Sequence, residues 1–273
     1  MYKTLRFPGF KIKALTLSYD DAVIFDKKLI EILNRYGLKC TFNINTGLFA
    51  QTPGADRRLM QDEAVELYKS SQHEVAVHGY KHLFLTKIDD LARAYEVKKD
   101  REELEKLFDR VVKGMAYAYG AYNDNVVKIL KDCGINYART TIANGEFNIP
   151  TDWLRLETTC HHENKNLSTY VDKFLSINEE NEVEPKLFFL WGHSYEFNDK
   201  NNWWIIEEFA KKVGNNPDVW YATNGEVYEY IKAYESLIYS LDGKIIKNPT
   251  SIDVYLNLDG KKVLVKSGET VKI

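Results

Sequence analysis

Six histidines are spread over 273 residues, and five of them keep chemically suggestive company. His78 and His82 stand four apart, His161 and His162 are adjacent, His193 follows a glycine, and Asp20 and Asp21 form a pair of neighbouring carboxylates. Two imidazoles four residues apart can face one point across a helical turn. A carboxylate from a neighbouring strand then completes an open three-ligand site of the kind that suits Zn²⁺. An ion held that way acidifies water at neutral pH, so the chemistry in view is hydrolysis. Each feature taken singly has a plainer reading. Asp20-Asp21 resembles a turn or a helix N-cap before Ala22, His193 a core histidine satisfied by a carbonyl, His161 and His162 an ordinary polar loop, and Cys160 a small buried residue.

The elements that must position these groups are short strands. Apolar, β-branched or aromatic runs at residues 14–19, 40–44, 74–78, 115–119, 137–141, 154–158, 187–192 and 219–223 alternate with stretches of helical period. The first run ends in Asp20-Asp21, the third in His78, the seventh in Gly192-His193, and the sixth leads into Cys160-His161-His162; only His73 lies elsewhere. Residues 27–36 put Leu29, Ile30, Ile32 and Leu33 on one helical face and stop at Gly37. Residues 126–133 follow Asn123 and Asp124 as caps and stop at Gly134. Residues 91–112 carry Glu102, Lys106, Asp109 and Lys113 outward and read as a solvated amphipathic helix, and Asn224 reads as the cap of a last helix.

Strand then helix, seven or eight times over, predicts an α/β fold: a distorted (β/α)7–8 barrel, with a doubly wound open sheet as competitor. Both place chemistry at the carboxyl ends of strands. The rhythm changes near residue 241, where residues 251–258, an Asp259-Gly260 turn, residues 262–265 and residues 269–273 read as a small β extension. The expected division is a barrel over residues 1–238 and a β-rich extension over 239–273, which covers an apolar surface or mediates self-association; the oligomeric state is left open.

Lys and Arg total 37 against 40 Asp and Glu, for a net charge of −3, which gives no field for gripping a phosphate backbone; nucleic acid is excluded as the expected partner. No apolar run approaches the roughly 18 residues a membrane span needs. Residues 1–10 mix Lys3, Arg6 and Pro8 with apolar residues and show no signal-peptide core, and Cys40, Cys133 and Cys160 form no CxxC. Reduced thiols and a cytoplasmic location are expected, although a secreted chain trimmed of its leader would read the same.

The motifs carry a family resemblance. Thr16-Leu17-Ser18-Tyr19-Asp20-Asp21 is similar to the first motif of the polysaccharide deacetylase family, carbohydrate esterase family four, and His78-Gly79-Tyr80-Lys81-His82 to its second. Tyr119-Gly120-Ala121-Tyr122-Asn123 resembles the end of the third motif and Leu190-Trp191-Gly192-His193 the fifth, all in order, over residues 14–230. The resemblance implies that Asp21, His78 and His82 bind a divalent metal, Zn²⁺ first, with Co²⁺, Ni²⁺ or Mn²⁺ as alternatives. It implies further that Asp20 is the general base, that the Tyr119 backbone N–H holds the oxyanion, and that Leu190 lines the pocket for the acetyl methyl. Amide cleavage also needs a proton for the leaving amine, and His193, from the opposite side of the mouth, is the expected acid. Such assistance is worth about 10²–10⁴-fold. Trp191 and Tyr122, with Trp153, Trp203, Trp204 and Tyr195, offer stacking faces for a sugar ring or else serve as core.

Departures from the family pattern matter as well. The arginine that usually opens the third motif is absent from Met115-Ala116-Tyr117-Ala118-Tyr119, and Arg139 is expected either to replace its charge from the next strand or to make a structural ion pair. Gly79 removes a hydroxyl common between the metal histidines, and the fourth motif survives only as Asp152-Trp153, with no catalytic part assigned. The expected activity is removal of acetyl groups from N- or O-acetylated carbohydrate by a metal-dependent hydrolase. The rivals are a C–N hydrolase of cyclic amides or ureides on the same barrel, some relatives of which dispense with metal, and a noncatalytic carbohydrate-binding protein.

Overall fold

The computed structural model describes residues 3–54 and 56–273; Met1 and Tyr2, which open the segment read above for a leader and the barrel division, lie outside them, as does Ala55. After β1 (Lys3–Arg6), the strands β2 (Lys13–Asp20), β3 (Cys40–Ile44), β4 (Glu74–Val77), β5 (Gly114–Ala116), β6 (Tyr137–Ala143), β7 (Leu156–Thr158), β8 (Cys160–His161), β9 (Lys186–Gly192) and β10 (Val219–Tyr221) follow. All but β1 join one parallel sheet in the order β7-β6-β5-β4-β3-β2-β9-β8, with β10 paired to the start of β2. The helices are α1 (Asp26–Arg35), α2 (Gln61–Lys69), α3 (Asp90–Phe108), α4 (Asp124–Asp132), α5 (Leu167–Ser176), α6 (Ser194–Asp199), α7 (Trp204–Val213) and α8 (Asn224–Glu235). No helix among the described residues is long and apolar enough to cross a membrane.

The two edges of this sheet are one stretch of chain. β7 pairs with β6, β8 pairs with β9, and the single residue between them, Thr159, donates its N–H to Phe189 O at 2.9 Å. The sheet therefore returns on itself through residues 156–161, closing a distorted barrel of seven positions with β10 wedged beside β2. The competing open sheet is ruled out.

Strand alternation sorts the side chains. Leu15, Leu17 and Tyr19 on β2, Cys40, Phe42 and Ile44 on β3, and Phe188 and Leu190 on β9 face the helices and share one apolar cluster with Leu29, Leu33, Leu104 and Leu130. The opposite face of β2, β3 and the more distant β6 is polar and equally buried at Thr16, Ser18, Asp20, Thr41, Asn43 and Arg139, whereas β9 places the apolar Leu187 and Phe189 on that side. At the strands' amino ends α8 plugs the barrel. Thr223, not Asn224, caps this helix, and Asn224 instead reaches Thr16 Oγ1 at 2.8 Å. Glu74 accepts from Thr41 Oγ1 at 2.7 Å, from Gly225 N at 2.9 Å and from the Tyr137 hydroxyl, placing a carboxylate at the positive end of α8.

Two expectations need correction. α3 is not merely a solvated helix, because Glu96, Val97, Asp100, Leu104 and Phe108 form a buried face. The C-terminal strands β11 (Ile238–Tyr239), β12 (Ile245–Lys247), β13 (Val254–Leu258), β14 (Lys261–Val265) and β15 (Thr270–Lys272) form two three-stranded sheets, and one of them takes β1 as its edge. The N-terminal strand thus belongs with the extension, which packs on α8 through Ala233 and Leu237.

Glu74→Ala removes one acceptor from three buried donors, so it should lower stability by about 2–4 kcal/mol. A urea midpoint equal to that of the unsubstituted protein would contradict the plug.

Candidate active site

β2 delivers two adjacent carboxylates into different surroundings. Asp20, last residue of the strand, points into the barrel. Its Oδ1 accepts from Asn43 Nδ2 at 2.8 Å and its Oδ2 takes the Arg139 guanidinium. Arg139 also donates to Ser18 Oγ at 3.1 Å and lies over the Trp191 ring, 4.4 Å from its centroid. Burial works to raise the Asp20 pKa, but Arg139, His78 and His193 outweigh it and hold the carboxyl down at about 2. Arg139 thus faces Asp20 from β6, the strand beside β5, which carries Ala116 at the same height.

Asp21 has left the strand. Its φ of +90° turns the chain so that its side chain faces the histidines, and the turn is fixed by Asp21 N to Asn43 O at 2.9 Å and by Arg58, which donates to Asp21 O. Asp21 Oδ1 is buried without a hydrogen bond, although Arg58 Nη2 lies 3.1 Å away as an ion pair. His78 Nε2 and His82 Nε2 stand 4.0 and 3.9 Å from that oxygen and 3.2 Å from each other. His78 Nδ1 donates to Ala116 O at 2.9 Å, which leaves the Nε2 lone pair directed at the cluster. Burial, with His78 beside it, pulls the His82 pKa down to about 4, so this ring is neutral at neutral pH. One orphaned carboxylate oxygen and two imidazole nitrogens turned toward it fit a divalent cation of the Zn²⁺ type.

The loop bearing the histidines is braced by side chains that were not singled out in the sequence. Asp100 accepts from His78 N at 3.0 Å, Glu96 from Lys81 N at 2.8 Å, and Asn45 Nδ2 donates to His78 O and Gly79 O at 2.9 and 2.8 Å. These replace the hydroxyl missing at Gly79, whose φ of +88° explains why glycine stands there.

His193 comes from the opposite wall, at the end of β9, with Nε2 3.7 Å from Asp20 Oδ2. Its other ring nitrogen, Nδ1, is 3.3 Å from Glu196 Oε2, which also accepts from His193 N at 3.1 Å. Burial alone would lower the His193 pKa, but Glu196, Asp20 and Asp21 more than compensate and raise it. Glu196 was missed, yet its signal was present: it sits three residues after His193 at the start of a helix, the spacing of a capping box.

Other expected site residues divide. Trp191 is half-buried on the inward face, whereas Leu190 is wholly buried among Leu17 and Phe188 and cannot line the mouth; along β9 the two side chains point to opposite faces. β5 ends at Ala116, so Tyr119 lies in a 3₁₀ turn with φ +58°. Its exposed ring stacks on Phe84 at 3.8 Å and meets His82 edge-on at 4.4 Å, forming an aromatic shelf beside the cluster. Tyr122 packs on Tyr117, at 5.1 Å, not on the histidines. Trp153 is core, while Trp204 is exposed and Trp203 packs on Phe197. His161 and His162 are not a polar loop: His161 ends β8, and His162 is buried against Phe197 at 4.0 Å.

Residues 9–138 match the polysaccharide deacetylase family profile, a stretch that holds Asp20, Asp21, His78 and His82 and stops one residue short of Arg139. No curated protein matches the chain. Among solved structures, the chain is 25% identical to the Streptococcus pyogenes deacetylase PplD, solved in complex with acetate, over 51% of this chain and 61% of that one, at a TM-score of 0.47. It therefore spans about three fifths of that relative's length. A candidate polysaccharide deacetylase from Mycobacterium smegmatis aligns over 85% of this chain and 94% of its own, at 16% identity and a TM-score of 0.59. A Bacillus anthracis protein described as a family-four pseudoenzyme aligns over 82% and 68%, at 14% identity and a TM-score of 0.50. Likeness at the last two identities concerns the fold. The chain carries the sequence pattern of the polysaccharide deacetylase family over residues 9–138, on the barrel that the family shares.

Proposed function

We propose that the protein is a metal-dependent hydrolase that removes acetyl groups from N- or O-acetylated carbohydrate, with the N-acetyl substrate first in order. The observation that carries this reading is the division between neighbouring carboxylates: Asp20 is locked to a buried guanidinium, whereas Asp21 Oδ1 is left without a hydrogen bond beside the imidazoles of His78 and His82. Asp21, His78 and His82 would hold a divalent cation, Zn²⁺ by its donor set, which supplies Lewis acidity toward an acyl oxygen and toward water. Asp20, ionised at neutral pH, accepts the proton of the attacking water. His193, held by Glu196 with its Nε2 toward the mouth, gives a proton to the leaving amine or alcohol. The Tyr119 N–H is assigned to the developing oxyanion. Trp191 takes the place of Leu190 as the apolar wall nearest the acetyl methyl, and the Tyr119–Phe84 shelf offers a face for the sugar ring.

A second reading has one observation in its favour. Arg58, 3.1 Å from Asp21 Oδ1, can neutralise that carboxylate without an ion, as a metal-free hydrolase of cyclic amides would require. Elemental analysis together with acetate release from acetylated chitooligosaccharides and xylan separates the two.

Three outcomes are expected. Asp20→Asn retains metal and loses about 10²–10⁴-fold in turnover, whereas His78→Ala loses one equivalent of metal and the activity together; equal activity in either variant contradicts the assignment. Arg139→Ala removes the leading influence that lowers the Asp20 pKa and leaves burial to raise it, so the acid limb of kcat/KM should move to higher pH by about one unit or more. An unchanged limb retires that role. Glu196→Gln removes the leading influence that raises the His193 pKa, so activity should be lost at lower pH on the basic side, and a basic limb that stays in place tells against His193 as the acid.

A further inference from the structure

One carboxylate oxygen, Glu196 Oε2, collects more neighbours than it can serve. His161 Nε2 is 3.0 Å away, His162 Nε2 3.4 Å, His193 Nδ1 3.3 Å and His193 N 3.1 Å. His161 and the His193 backbone make well-placed hydrogen bonds to it. His162 makes none: it is 1% exposed, and neither of its ring nitrogens has a partner. In either neutral tautomer one N–H of this ring is buried and unsatisfied, at a cost of about 1–3 kcal/mol. The chain nevertheless fixes the ring firmly. Phe197 stacks on one side at 4.0 Å, and Gly192 lies so close that a Cβ there would come within 1.9 Å of His162 Nδ1. An imidazole held this tightly with its nitrogens idle asks for a partner that the protein does not itself supply.

We propose that His161, His162 and Glu196 form a second divalent-cation site, separate from Asp21, His78 and His82 and independent of the deacetylase reading. Ligand atoms about a tetrahedral Zn²⁺ with bonds near 2.0–2.1 Å lie roughly 3.3–3.4 Å apart. The two distances to Glu196 Oε2, 3.0 and 3.4 Å, bracket that edge, and one ligand atom from each of the three residues lies within 4.8 Å of the others. Two imidazoles and one carboxylate select a borderline ion such as Zn²⁺ or Co²⁺ over Mg²⁺ or Ca²⁺. His161 and Glu196 are both partly exposed, which gives the ion a way in from the mouth. One local adjustment accompanies binding. His161 Nδ1 now accepts from Glu163 N at 3.2 Å, so ligation through Nε2 moves the ring proton to Nδ1 and releases that amide, in a half-exposed turn, to water. The site is coupled to His193 through the shared Glu196 oxygen.

The test is metal stoichiometry on the full chain. Protein stripped by chelator is dialysed against Zn²⁺ and analysed for metal, and the same proteins are titrated with Co²⁺ and followed by visible absorption. His161, at the edge of the site, is the residue to change, because His162 is packed. The expected result is that His161→Ala takes up one equivalent fewer than the unsubstituted protein and loses the corresponding Co²⁺ absorption. Uptake equal to that of the unsubstituted protein overturns the proposal. If His161→Ala does not fold, His78→Ala decides the matter: one retained equivalent supports the second site, and none overturns it.

Discussion

The buried contact between Asp20 and Arg139 organises the mouth of this barrel. It joins β2 to β6 across the interior, between residues 119 positions apart in sequence, and both side chains are nearly inaccessible, at 3% and 1%. A charge pair in such a place is tolerable only when its remaining polar atoms are satisfied, and here Asn43 takes the other carboxylate oxygen while Ser18 and the Thr140 carbonyl take guanidinium N–H groups. Removing one member of such a pair typically costs about 3–5 kcal/mol because the other charge is stranded. The polar inner faces of β2, β3 and β6 are therefore a requirement of the pair. Trp191, beneath the guanidinium plane, completes the enclosure.

From that contact follows the inequivalence of two adjacent aspartates. Strand geometry sends Asp20 inward, where a cation keeps it ionised. The break from β geometry at Asp21 then swings the next carboxylate toward His78 and His82. Two groups of identical chemistry acquire different tasks through one residue of backbone, as in other hydrolytic sites where environment separates paired carboxylates. Arg58 and Asn43 hold that backbone in place, so the positive φ is over-determined by hydrogen bonds on both sides of Asp21.

Alternation decided what could be read from the sequence. In Ala14-Leu15-Thr16-Leu17-Ser18-Tyr19-Asp20, polar and apolar residues alternate, so the inward direction of Asp20 is legible, and the strands at β3 and β9 were placed to within a residue. In Leu187-Phe188-Phe189-Leu190-Trp191 every residue is apolar. The pattern carries no phase there, so nothing but the resemblance points to Leu190 as the pocket wall, whereas Trp191 is the side chain on the inward face. The brace on the histidine loop was hidden for a related reason. Glu96 and Asp100 look like two more surface charges on a charged helix, and only the packing of α3 against β4 shows that they cap the backbone of residues 78–81. Closure through residues 156–161 left no sequence signal, because a five- or six-residue extended segment reads the same whether it has one neighbour or two.

The missing motif arginine shows how a site can be kept while its parts move. In the sheet, Ala116 on β5 is registered directly opposite Arg139 on β6, so the two positions stand at the same height in the barrel wall, one strand apart. A guanidinium reaches several ångströms from its Cα, enough to absorb a lateral shift of one strand, about 4.8 Å, while still meeting the same carboxylate oxygen. Lysine on β6 would bring the charge but not the fork that also engages Ser18 and the Thr140 carbonyl. A barrel of this kind is also found in a protein described as a pseudoenzyme, so the fold by itself argues for no activity. The Arg139 contact serves the charge at Asp20 and the stability of the barrel wall alike, because losing either partner strands the other in a buried place.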